Sequence, residues 1–301
     1  MTPATRQLPA PDGYHLAASV GMLAFSRHDP CARFVGGTFW WAVRTPDGPA
    51  SLALHRAGDR IEATGHGPGT GWVLDRADAV AGLRDRLDGF VEVATAHPVV
   101  ADLARRRRGV RLPATGRLFP RLLRAVFEQK VTGTEAYRAY AATVRHFREP
   151  APGPANLLLP PDAAAVAATP YWVFHPFGVE QRRTQALLRG ALVADRLERC
   201  ADAAEATARL TAIPGIGPWT AAEVVRTVYG DPDAVSVGDF HLPNTVSWAL
   251  AGEPRGTDAR MLELLEPFRG HRGRVCVLLE GAGIVAPRYG PRHPIRSFAR
   301  F

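Results

Sequence analysis

Two short stretches carry residues whose types and spacing can do chemistry: IPGIGPWTAAEVV, residues 213–225, and GDFHLP, residues 238–243. Gly215 and Gly217 stand one residue apart where a helix must begin. Pro218 marks that start, because proline is favoured in the first helical position, where its missing N–H would have no partner. Glycine leaves no Cβ between the backbone and an approaching group. First-turn amides are unpaired and carry partial positive charge, so they hold anions. Gly215, Ile216, Gly217 and Thr220 therefore read as a backbone grip on a diester phosphate, indifferent to base sequence. Asp239 follows after a short loop, within reach of what that phosphate carries. An Asp after Gly also serves as a turn or cap residue. As a fixed carboxylate in a water-poor cleft, it would stabilise developing positive charge and orient an attacking water. Trp219 offers a stacking face on the same helix, or a core aromatic.

The elements needed to position these groups are legible. In LTAIPGIGPWTAAEVVRTVYG a helix ends near Thr211 and a second starts at Pro218, a hairpin over residues 204–229. Before it, LFPRLLRAVFEQKV sets Leu118, Leu122 and Val126 beside Phe119, Leu123 and Phe127 on one stripe. TEAYRAYAATVRHF follows with Thr134 as its expected N-cap. DRADAVAGLRDRLDGFVEVA, residues 75–94, reads as a helix, and further helices are expected over 179–194, 203–211, 218–229 and 258–266. The start differs: FWWAVRT, ASLALHR and RIEATG are β-prone runs separated by turn residues, an antiparallel meander between residues 34 and 66 with Trp40 in its core. The fold class is α+β, with a sheet domain at 1–74 and a helical domain at 75–301.

Composition bounds the function. The 301 residues are 46% hydrophobic and 22% charged, those of a folded protein, with a net charge of +8. Residues 101–148 alone hold eleven arginines and Lys130 against Asp102, Glu128 and Glu135, a local excess of +9. The tail adds Arg292, Arg296 and Arg300 without an acid. A polyanion is the expected partner, nucleic acid ahead of membrane. The Arg105–Arg108 run cannot turn all four side chains to one duplex and reads as a solvated face. Cys31, Cys200 and Cys276 are isolated, without metal-ligand or disulfide spacing. No signal core and no apolar run of membrane-spanning length occurs, so the cytoplasm is expected.

The hairpin with its downstream GDFHLP resembles the helix-hairpin-helix (HhH-GPD) DNA glycosylase superfamily, and the variant PGIG-x-WTA resembles its alkylbase, 3-methyladenine glycosylase II branch. RGVRLP (108–113), RAVFEQKVTG (124–133) and PFRGHRGRV (267–275) extend the resemblance over most of 75–280. It implies a TATA-binding-protein-like N-terminal sheet and a monomer acting on double-stranded DNA containing damaged bases in the nucleoid. It also implies Asp239 as catalytic carboxylate and a base pocket with Trp219, Glu223, Met22 and Phe127. DNA contacts are implied for the hairpin glycines, Thr220, Gln129, Lys130 and His241, which stands in a D-x-H pattern. No cofactor is required, although a monovalent cation on the hairpin carbonyls belongs to the pattern. An alkylated purine already carries positive charge, so one Asp can suffice once the nucleotide is flipped out.

Departures from the pattern matter as much. The lyase branch sets a lysine in the hairpin's second helix for a Schiff base; here the only lysine is Lys130, and a monofunctional enzyme is expected. Lys130 occupies the place of an apolar wedge, Glu223 that of a pocket aromatic, and VCVLL around Val277 lacks another aromatic. Two rival readings remain: a DNA-binding protein without turnover, and a glycosylase for oxidised or bulky purines.

Overall fold

The structure, a computed structural model, describes residues 2–287. The expected tail arginines Arg292, Arg296 and Arg300 lie outside the described residues.

Five antiparallel strands form one sheet: β1 (Ala4–Pro9), β2 (Ala32–Val35), β3 (Thr38–Thr45), β4 (Gly48–Ala57) and β5 (Arg60–His66), in the order β1-β5-β4-β3-β2. The meander from β2 to β5 follows the β-prone runs. Strand β1 was not anticipated, because five of the six residues in ATRQLP are exposed and carry no alternation; backbone pairing to β5 places it. One face of the sheet holds Phe39, Val43, Leu52, Leu54 and Ile61 against the short helices α1 (Leu16–Val20), α2 (Thr70–Asp75) and α3 (Ala77–Val80). This core runs to Ala81, past residue 74. The other face is covered by the Pro-rich segment at 150–160, whose Leu157 and Leu159 pack on Ala42 and the half-buried Trp40. Arg44 Nε fixes that segment by donating to Pro160 O at 2.8 Å.

The 75–94 stretch is not one helix. Gly82 and Gly89 both take φ +76°, which ends α3 and delays α4 (Phe90–Ala94). Then follow α5 (Pro98–Arg106), α6 (Leu118–Glu128), α7 (Gly133–Phe147), α8 (Ala163–Ala167), α9 (Gln181–Leu192), α10 (Ala194–Glu198), α11 (Ala203–Thr211) and α12 (Pro218–Val228). Thr132, not Thr134, caps α7, through a reciprocal capping box with Glu135. The last helices are α13 (Leu242–Ala251), α14 (Asp258–Leu265) and α15 (Arg272–Gly281).

The helices bury two separate cores. Helices α6 to α12 share one, around Leu118, Leu122, Phe127, Phe174 and Leu187. The other joins α4 and α5 to α13, α14 and α15 through Phe90, Leu103, Met261, Phe268 and Leu279. The two late segments singled out in the sequence, RGVRLP and HRGRV, meet at one acid. Asp85 accepts from Leu112 N at 2.9 Å and from Arg274 at 2.6 and 2.8 Å, with both charged side chains almost fully buried. Those segments are structural stitching.

Candidate active site

The hairpin forms as its sequence dictates. Helix α11 ends at Thr211, the loop 212–217 turns with Gly215 at φ +98°, and α12 starts at Pro218. A Cβ on Gly215 would lie 2.7 Å from Ala186 Cβ of α9, so the position demands glycine for space as well as for φ. Around Gly217, by contrast, space is open on the side where a Cβ would point, leaving bare backbone at the helix start. Ile216 is buried beneath the loop and anchors it, and Thr220 is buried too. Gln129 ties the loop to α6: its Nε2 donates to Gly215 O at 3.1 Å and to Thr220 Oγ1 at 2.9 Å. Lys130 follows, exposed and at φ +54°, a left-handed conformation uncommon outside glycine. Arg189 donates to Pro214 O at 3.1 Å. The Pro214 and Gly215 carbonyls thus accept from a guanidinium and from the Gln129 amide.

Asp239 sits between the two helical cores, on the loop entering α13. Its Oδ2 accepts from Trp219 Nε1 at 2.9 Å, and its Oδ1 accepts from the amides of His241 and Leu242 at 2.7 and 2.8 Å. The cap reading and the reactive-carboxylate reading of this residue are therefore compatible. Three donors fix one orientation of the carboxylate. Gly238, at φ +91°, permits the turn that presents Asp239, and its amide is held by Asp258 at 3.0 Å. Phe240 and His241 are exposed beside it, their rings in edge contact.

Glu223, one turn beyond Trp219, is neither a free pocket carboxylate nor a solvated one. Its Oε2 pairs with Arg121 at 2.6 Å, Arg226 also pairs with it, and Ser236 donates to Oε1 at 2.6 Å. Arg121 in turn meets Glu128 at 3.0 Å, and Glu128 meets Arg124 at 3.1 Å. Arg124 donates to the carbonyls of Met22 and Leu23 at 3.2 and 3.3 Å and lies over the Phe25 ring at 4.5 Å. Five charged side chains, all at most 17% exposed, thus join the N-terminal segment, α6, α12 and the loop carrying Asp239. Burial pushes the Glu128 carboxyl up, but the charges and hydrogen bonds of Arg124 and Arg121 outweigh it and hold it below the usual range. Burial lowers the guanidinium values of Arg121 and Arg226.

Among the residues expected at the site, Asp239, Trp219, Glu223 and Met22 are linked in this way, and Gly215, Thr220 and Gln129 are linked at the hairpin. Phe127 is not part of the site: it is fully buried in the central core, where packing of α6 turns it inward. Arg121, Arg124, Glu128, Arg226 and Ser236 were missed as site residues. Their i,i+3 and i,i+4 spacings on α6 and α12 were the available signal. Desolvation, with the Glu280 charge adding, pushes the Cys276 thiol up to about 12, so it offers no thiolate near neutrality. Among the described residues no cluster of His, Cys, Asp or Glu is arranged to hold a metal, and no helix is long and apolar enough to cross a membrane.

The arrangement of sheet and helices recurs in known structures. The 3-methyladenine DNA-glycosylase from Archaeoglobus fulgidus superposes with a TM-score of 0.76 at 16% identity, over 91% of this chain and 97% of that one. The chain has the fold of the helix-hairpin-helix DNA glycosylases. The 8-oxoguanine glycosylase/lyase of Clostridium acetobutylicum shares that glycosylase fold with a TM-score of 0.71 at 10% identity, over 92% and 95% of the two chains. MBOgg1, solved in complex with a low-affinity DNA ligand, matches at 0.73 and 13% identity, over 94% and 98%. In sequence, the probable bifunctional transcriptional activator/DNA repair enzyme AlkA of Mycobacterium tuberculosis is 28% identical over 255 residues, 78% of this chain and 49% of the relative. The chain thus spans about half the length of the curated relatives it matches. No family model matches the sequence.

Proposed function

We infer that this chain is a monofunctional DNA N-glycosylase that removes alkylated purines from duplex DNA. The observation that carries the reading is Asp239, clamped by two backbone amides on the loop into α13 and by the Nε1 of Trp219, the second residue of the helix that the hairpin presents. The hairpin amides hold a phosphate, and the damaged nucleotide turns out of the stack with its base against Trp219. The N-glycosyl bond breaks with its electron pair leaving on the base, and positive charge builds on the sugar opposite the Asp239 carboxylate. Water adds to the sugar carbon and loses a proton towards the same carboxylate. A lyase step needs an amine on the sugar, and Lys130, the only lysine, stands at the end of α6, not on α12. We assign duplex DNA as the partner and a monomer as the working form.

The test is base release from methylated duplex DNA, read by chromatography before any alkali treatment, for wild type and Asp239→Asn. Release by wild type alone supports the reading. Equal release by both removes Asp239 from the mechanism. Duplex binding by both without release by either leaves a binding protein.

A further inference from the structure

The four residues that present Asp239 form a closed turn. Ser236 O accepts from Asp239 N at 3.2 Å, with Gly238 in its left-handed conformation between them. Both ends of this turn meet one face of α12, on which Trp219, Glu223 and Arg226 follow one another at i, i+4 and i+7. Trp219 Nε1 donates to Asp239 Oδ2 at 2.9 Å. Ser236 is buried; its Oγ donates to Glu223 Oε1 at 2.6 Å and accepts from Arg226 Nη2 at 3.1 Å. A hydroxyl can donate and accept at once, which this seat requires. Glu223 is not free to follow the turn if the turn shifts. Arg121 pins it from α6, and Glu128 and Arg124 pin Arg121 in turn.

Resting on the glycosylase reading, we propose that Ser236 is a positioning residue: its hydroxyl, seated between Glu223 and Arg226, fixes the turn 236–239 on α12 and so sets where the Asp239 carboxylate stands relative to the hairpin. Other contacts on the turn do not supply this separation. The His241 and Leu242 amides follow Asp239 in the chain and move with it, and Asp258, which holds Gly238 N, begins α14. Helices α13 and α14 belong to one helical core, whereas α12 and its hairpin belong to the other. The turn therefore crosses from one core to the other, and Trp219 and the Ser236 seat tie it to α12. A phosphate gripped at the start of α12 and a carboxylate facing the sugar it carries need a fixed separation. A small misplacement of a reacting group slows a reaction steeply. Glu223, expected in the base pocket, serves the turn instead.

Single-turnover base release from methylated duplex DNA tests this, measured beside affinity for a duplex carrying a tetrahydrofuran abasic analogue, with Ser236→Ala and Ser236→Thr. Alanine removes both hydrogen bonds, and threonine keeps the hydroxyl. Ser236→Ala is expected to release base about ten- to a hundredfold more slowly, with duplex affinity within about twofold of wild type. Ser236→Thr is expected to recover most of the rate. A purely structural role gives a different pattern: wild-type release wherever circular dichroism shows Ser236→Ala folded, or parallel loss of rate and affinity. Either result overturns the proposal while leaving the glycosylase reading intact. So does a natively folded Ser236→Thr that is as slow as Ser236→Ala. If Ser236→Thr does not fold, the alanine variant decides alone; if Ser236→Ala does not, Ser236→Cys, whose thiol is a weaker donor, stands in for it. No release by wild type defeats both readings together.

Discussion

At the scale of single residues, Asp239 is constrained from three sides. Two amides at the start of α13 and the Trp219 indole leave its carboxylate one orientation. A hydrogen bond to a charged group contributes roughly 1.5–3 kcal/mol, so the indole contact is large enough to matter to catalysis. Trp219→Phe keeps an aromatic face for the base and deletes only the N–H donor. The expected outcome is a fall of about ten- to a hundredfold in single-turnover base release, with the unfolding free energy within about 1 kcal/mol of wild type. Unchanged release would mean that the α13 amides alone orient the carboxylate.

At the scale of elements, the loop that delivers Asp239 depends on how closely α15 approaches it. Gly273 lies against the backbone of Ala234: a Cβ there would overlap the carbonyl oxygen and sit 2.9 Å from the carbonyl carbon and the nitrogen. Backbone cannot rotate out of the way as a side chain does. Gly273→Ala is therefore expected to cost about 1–3 kcal/mol, as overpacking does. Its distinguishing effect is on the loop 234–239, so base release should fall even at temperatures where urea titration shows the variant folded. Retained activity at full occupancy of the fold would uncouple α15 from the site.

At the scale of the whole molecule, part of the basic surplus of residues 101–148 is already paired with acids. Arg121 and Arg124 are spent on Glu128 and Glu223, Arg117 on Glu198 at 3.5 Å, and Arg105 and Arg106 on Asp102. Binding to DNA should accordingly show a shallower salt dependence than a +9 segment suggests, because each phosphate contact contributes a slope of only about 0.9. The buried cluster also makes stability depend on pH. Glu128 is held below its ordinary value of 4.5, so its contribution is full above that value and is lost as pH falls through the lower folded value. Glu128→Gln leaves Arg121 and Arg124 short of a buried counter-charge, which costs about 3–5 kcal/mol. Denaturant titrations at pH 7 and pH 4 should show the wild type losing stability on acidification and the variant losing less. Parallel losses would place the acid sensitivity elsewhere.

The hairpin was legible because local chemistry fixes it: Pro218 can only begin a helix comfortably, and Gly215 takes a backbone angle few residues accept. The meander was legible from β-prone runs and turn residues, and the inward stripe of α6 from its period. Asp239 could be singled out by its distance along the chain from the hairpin, but not its indole and amide partners, which come from two different helices. The sequence placed Phe127 at the site and left Arg121, Arg124 and Glu128 out of it, the reverse of the structure. Arginine in a sequence reads as surface, since burying its charge is unfavourable without partners. Whether partners exist depends on which helices meet, and that is settled only when α6 docks on α12 and on the segment at Met22. Local backbone preference needs a few neighbouring residues, whereas charge neutralisation in an interior needs the tertiary fold.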